Sequence, residues 1–114
     1  MASIPFPKSL VCAWRDWLRI PAPVANARAR QREAPTYRVE VGLDRVASHT
    51  CSLVQGALSR QPWDYGALAA DGLEELHHID LQLDACDLTR SARAPYERYV
   101  AAARALLREI GRLA

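Results

Sequence analysis

From Tyr96 to Leu113, apolar side chains recur at spacings of three and four: Tyr96, Tyr99, Val100, Ala103, Leu106, Leu107, Ile110 and Leu113. A period near 3.6 gathers them into one stripe of an α-helix. Pro95 suits a first turn, where a missing N–H costs nothing, and the Arg-rich end suits the negative pole of the helix dipole. The pattern predicts a helix over about 95–113. A second stripe, Leu73, Leu76, Ile79, Leu83 and Cys86, predicts a helix over about 68–88, with Asp64 upstream as its cap. Val46, Thr50, Leu53, Val54, Ala57 and Leu58 predict a third over about 43–59.

The remaining stretches are less periodic. In "TYRVEVGL", Tyr37, Val39, Val41 and Leu43 alternate with polar residues or glycine, which predicts an extended segment. It becomes a strand only if a dimer partner supplies the neighbour, because no second strand pattern is present. The segment "QPWDYG", Gln61 to Gly66, reads as a connection, with Trp63 and Tyr65 expected to plug the end of the bundle rather than bind a ligand. Near the start, "SLVCAWRDWLRI" sets Leu10, Trp14, Trp17 and Leu18 on one helical face, and Pro21 and Pro23 then stop the helix. Arg28, Arg30 and Arg32 follow in a basic stretch that reads as a linker.

Together these elements predict an all-α fold: a small helical bundle built on an antiparallel hairpin of helices 68–88 and 95–113. The helix at 43–59 and a short Trp-bearing N-terminal helix complete it. Residues 1–38 read as an arm and residues 39–114 as the helical domain. The connection at 89–94 is short enough to force the hairpin. In the best register Leu73 faces Ile110, Leu76 faces Leu107 and Leu83 faces Val100. Asp71 then lies near Arg112, Glu75 near Arg108 and Asp80 near Arg104.

Composition changes this picture little. At 114 residues, half apolar and a quarter charged, the chain suits one folded domain. Fourteen of the 15 basic residues are Arg, a bias expected of a GC-rich bacterial genome. Net charge of +2 conceals blocks. Residues 1–38 hold seven basic and two acidic groups, 39–90 three and nine, and 91–114 five and two. Such alternation favours pairing within the fold over attraction to one polymer. No apolar run is long enough to span a bilayer and no secretory signal is recognisable, so the expected location is the cytoplasm. Cys12, Cys51 and Cys86 are odd in number and widely spaced, which suggests a reducing compartment and small buried hydrophobes rather than a zinc site.

The stretch "EELHHID" raises the question of metal. Glu74, Glu75, His77 and His78 form two overlapping Glu-x-x-His pairs, half of a di-iron bundle site. A second copy is missing, so only a symmetric dimer could complete the ligand set, and the two histidines are expected at the helix surface. No P-loop, dinucleotide fingerprint or nucleophile elbow occurs, and no cofactor is expected. Ser48, His49 and Cys51 are too close in sequence to point together on a helix, so His49 reads as a polar boundary residue rather than a catalytic base.

The expected function is therefore non-enzymatic: an adaptor, regulator or inhibitor that binds another protein. The site residues are Trp14, Trp17 and Leu18 as apolar anchors, with Arg28, Arg30 and Arg32 beside them. Two alternatives belong to other classes: nucleic-acid binding through the Arg-rich segment 28–38, and a metal-binding bundle completed by dimerisation. The first lacks a base-reading module and the second lacks ligands.

Overall fold

The computed structural model describes residues 7–23 and 35–113. Within them the chain forms four helices, α1 Lys8–Arg19, α2 Tyr37–Leu58, α3 Tyr65–Ala85 and α4 Arg90–Gly111, and no strand. Helices α2, α3 and α4 pack on one another, and α1 lies along α4.

Helix α2 begins six residues before its expected start and absorbs the whole Tyr37–Leu43 segment. That segment is not extended. Val39, Leu43 and Val46 are all buried, at spacings of four and three, so the helical stripe already runs through the apparent alternation. Glu40 in the first turn faces the positive pole of the dipole and accepts a hydrogen bond from the Tyr96 hydroxyl at 2.9 Å. The helix ends on a Schellman motif: Arg60 takes a left-handed φ of 57°, and Gln61 N–H bonds the Gly56 carbonyl at 2.8 Å.

Asp64 caps α3, its side chain accepting from Ala67 N–H at 3.1 Å, as the sequence predicts. Helix α4 departs from the reading based on Pro95. Thr89 is the N-cap, accepting from Ala92 N–H at 3.2 Å, and the helix starts at Arg90. Pro95 is therefore interior, where it leaves the Ser91 carbonyl without its usual donor. A local cap outweighs the preference of proline for a first turn.

The α3–α4 hairpin is antiparallel. Asp80 pairs with Arg104, and Asp84 pairs with Arg93 at 2.6 Å. Leu73 is half-buried, whereas Leu76, Leu83, Val100, Leu107 and Ile110 are buried in the core. Two expected ion pairs give way to others. Glu75 pairs with Arg45 of α2 at 3.1 Å rather than with Arg108, and Arg112 pairs with Glu109 at 2.8 Å rather than with Asp71. Such exposed pairs contribute about 0 to 1 kcal/mol each, so apolar burial carries the hairpin. Gly72 permits the close approach: a Cβ there would lie 2.9 Å from Leu107 Cδ1.

Helix α1 runs antiparallel to α4, with Ser9 Oγ donating to Glu109 Oε1 at 2.7 Å and Trp17 against Tyr99 at 5.9 Å between ring centroids. Leu10 and Trp17 are buried and Trp14 is half-buried. Leu18 leaves the face assigned to it and is 61% exposed. It follows Trp17 by one residue, about 100° around the helix. The cysteines also depart from expectation: Cys12 and Cys51 are exposed and Cys86 half-buried, its thiol donating to the Pro35 carbonyl at 3.2 Å.

Burial pushes the Tyr99 phenol up to about 12, and the neighbouring Trp17 N–H opposes the shift only in part. Trp17 Nε1 is itself buried without a partner of hydrogen-bond geometry. Because the folded pKa exceeds the unfolded value of about 10, the neutral phenol stabilises the fold fully below pH 10. That contribution is lost as pH rises toward about 12. Tyr99→Phe is expected to flatten the fall in Tm over this alkaline window, which a pH series of thermal melts would check.

Candidate functional site

Trp17 lies inside the core, Trp14 at its edge and Leu18 in solvent, so the three do not form one anchor surface. Arg28, Arg30 and Arg32 lie outside the described residues. His77 and His78 are exposed on α3, where His78 Nε2 approaches Glu74 Oε1 to 3.9 Å. Among the described residues, no group of three or more His, Cys, Asp or Glu side chains is arranged to hold a metal ion.

His49 is half-buried between α2 and α3. Its Nε2 lies 2.8 Å from the Leu68 carbonyl oxygen, which can only accept, so this nitrogen carries the proton and donates. The absence of a side chain at Gly72 makes room for the ring, since a Cβ there would lie 3.3 Å from His49 Cδ2. This nitrogen is thus committed to bridging two helices. Desolvation raises the pKa of the nearby Cys51 thiol, which reduces the thiolate a nucleophile would need.

The seam between α2 and α3 carries two open clefts that share His49. The larger, about 500 Å³, is almost wholly apolar, with Leu53, Trp63, Ala67 and Leu68 among its walls. The smaller, about 290 Å³, is polar at its margin, where Arg45, Asp71 and Glu75 surround Val46 and Gly72. The helices that form these walls are antiparallel: Gly42 faces Ile79 and Arg45 pairs with Glu75. The two clefts lie end to end along this seam and meet at His49, and together they are termed the groove. From Leu53 to Val46 on α2, and from Leu68 to Glu75 on α3, is seven residues, or about 10 Å at 1.5 Å per residue.

Trp63 shapes the apolar end. Its ring lies over Gly56, where any Cβ would overlap it, and the residue stays 43% exposed. The connection reaches this position through the left-handed turn at Arg60 and is tied down by the Tyr65 hydroxyl, which donates to the Gln61 carbonyl at 2.7 Å. Trp63 thus covers α2 with one part of its ring while remaining open to solvent. Tyr65, in contrast, is buried at the first position of α3.

Gly56→Ala separates packing from helix propensity. Propensity alone would stabilise α2 by about 1 kcal/mol, whereas overlap in a packed contact costs about 1 to 3 kcal/mol. The variant is expected to be no more stable than the parent, and the Trp63 indole N–H resonance to move while those of Trp14 and Trp17 hold. Paired melts and amide correlation spectra would check both points.

Sequence periodicity does not reveal this groove, because it places Val46 and Leu53 in the apolar stripe of α2 but says nothing of how Arg45, Ser52 and Ala67 leave the seam beside them open. The usable signal was smallness, in Ser52 and Gly56 on α2 and Ala67 on α3, opposite a tryptophan in a connection. No family model, curated protein or solved structure matches this chain.

Proposed function

We propose that the chain acts non-enzymatically by binding another protein, as an adaptor, regulator or inhibitor, and that it does so through the α2/α3 groove. The observation that carries this reading is the open apolar cleft beside a half-exposed tryptophan. Partly exposed aromatic residues beside apolar pockets dominate binding energies at protein interfaces. The docking site thereby moves from Trp14, Trp17 and Leu18 to Trp63 and Leu68, because Trp17 is already occupied with Tyr99. The commitment of His49 to the Leu68 carbonyl supports a binding role over a catalytic one. Exposed Cys12 and Cys51 fit a reducing, cytoplasmic setting, and no helix among the described residues is long and apolar enough to cross a membrane.

Ala67→Glu tests the reading. Ala67 is exposed and lines the cleft, so the variant should fold normally while placing an uncompensated charge in the apolar end. Tagged parent and variant chains would be compared for retention of the same partner. Loss in the variant, at unchanged Tm, is the expected result; equal retention by both would exclude the groove.

A further inference from the structure

We infer that the occupant of the groove is a basic amphipathic helix of a partner protein, with an apolar side chain seated beside Trp63 and a cationic one about two turns away between Asp71 and Glu75. The inference rests on the groove being the docking site and specifies what fills it.

The first argument is dimensional. Leu53 and Val46 on α2, and Leu68 and Glu75 on α3, are wall positions seven residues apart, about 10 Å along each helix, which two turns of a bound α-helix, about 10.8 Å, would match. A helix lying in the groove therefore presents side chains i and i+7 to the two clefts, with i+3 or i+4 above His49. This is the spacing by which helices are recognised in apolar grooves. A small residue fits the middle position, because the His49 ring lies there, held by its bond to Leu68.

Charge supplies the second argument. The polar end of the groove contributes Asp71 and Glu75 against a single cation, Arg45. Arg45 is already paired with Glu75 at 3.1 Å. Asp71 is exposed and has no ion-pair partner among the described residues. An incoming Arg or Lys meets a net negative margin and needs no group on this chain to be displaced from Asp71. An acidic helix would meet repulsion, and a purely apolar one would leave the acidic end uncompensated.

The test uses the full chain and helix-constrained, fluorescein-labelled peptides of 15 residues, a length of about four turns. Each carries Leu at i, Ala at i+4 and Arg, Gln or Glu at i+7 on a Gln/Ala background, made in both chain directions. Anisotropy titrations at low and high salt give the affinities. The Arg peptide is expected to bind saturably, about tenfold more tightly than the Glu peptide at low salt, with the gap narrowing at high salt. Asp71→Asn should weaken the Arg peptide about three- to tenfold and leave the Gln peptide unchanged. Ala67→Glu should weaken the Arg and Gln peptides alike, because it acts on the seat shared by their Leu.

Failures are distinguishable. If Arg, Gln and Glu peptides bind equally and Ala67→Glu abolishes all three, the groove stands as a docking site and the basic occupant is wrong. If binding is indifferent to Ala67→Glu, the groove itself is wrong. If no peptide of either direction binds, a helical occupant is excluded.

Discussion

Trp17→Ala is expected to destabilise the fold by about 3 to 5 kcal/mol, the range for truncating a buried aromatic side chain. Trp17 is 5% exposed and packs against Tyr99, itself 3% exposed, so its removal leaves a cavity bounded by α1 and α4. One kcal/mol corresponds to about 4 to 8 °C in a domain of 60–100 residues, so Tm should fall by at least about 10 °C. Deleting residues 1–22 should cost at least as much, because it also removes buried Leu10 and the Ser9–Glu109 hydrogen bond. Denaturant titration of both variants checks this. A deletion variant as stable as the parent would show that α1 does not contribute to the core.

Leu107→Ala is the second large effect, at about 2 to 5 kcal/mol for a buried leucine. Leu107 is fully buried, and its methyl groups occupy the space that the absent Cβ of Gly72 leaves open. The two positions should therefore be coupled. Gly72→Ala alone forces a Cβ to within 2.9 Å of Leu107 Cδ1 and should destabilise the parent. In the Leu107→Ala background the same methyl enters the vacated space and recovers part of the loss. A coupling energy of about 0.5 to 3 kcal/mol is expected from the double-mutant cycle, against none for Gly72→Ala combined with Leu81→Ala. Leu81 is 53% exposed, and its own truncation should change stability by no more than about 0.5 kcal/mol. Additive effects at positions 72 and 107 would contradict the hairpin packing.

The antiparallel hairpin was readable because its apolar stripes have an unambiguous helical period, and because Asp64 offers an acceptor three residues before Ala67. Errors arose where two periods coincide or where one local preference overrides another. Val39 and Leu43 are two alternations apart and also one helical turn apart, so the segment satisfied both patterns. Burial against α3, with Gly42 packed on Ile79, selects the helix. Pro95 suggested a start that Thr89 in fact supplies, five residues into a helix able to tolerate one missing bond.

Charge pairing was less legible than packing. Asp80 pairs with Arg104 as the register requires, but Glu75 faces α2 and meets Arg45, a partner that no two-helix construction contains. Cysteine burial was inferred from residue type, and type alone does not say which face of a helix a residue occupies. Leu18 shows the same limit within a single turn. Trp63 is expected from the sequence to plug the end of the bundle, whereas its ring lies over Gly56 of α2 and stays 43% exposed beside a cleft lined by Leu53 and Leu68.

Site-specific photocrosslinking tests the groove most directly. A benzophenone amino acid replaces Ala67 in the apolar cleft or, in a second chain, Ala101 on the exposed surface of α4, both positions being open to solvent in the isolated fold. Irradiation in the native host should give one discrete protein adduct from position 67 and none from position 101, and the adduct should disappear when Trp63→Ala is added. An adduct from position 101 alone, or the same adduct from both positions, would contradict docking through the α2/α3 groove.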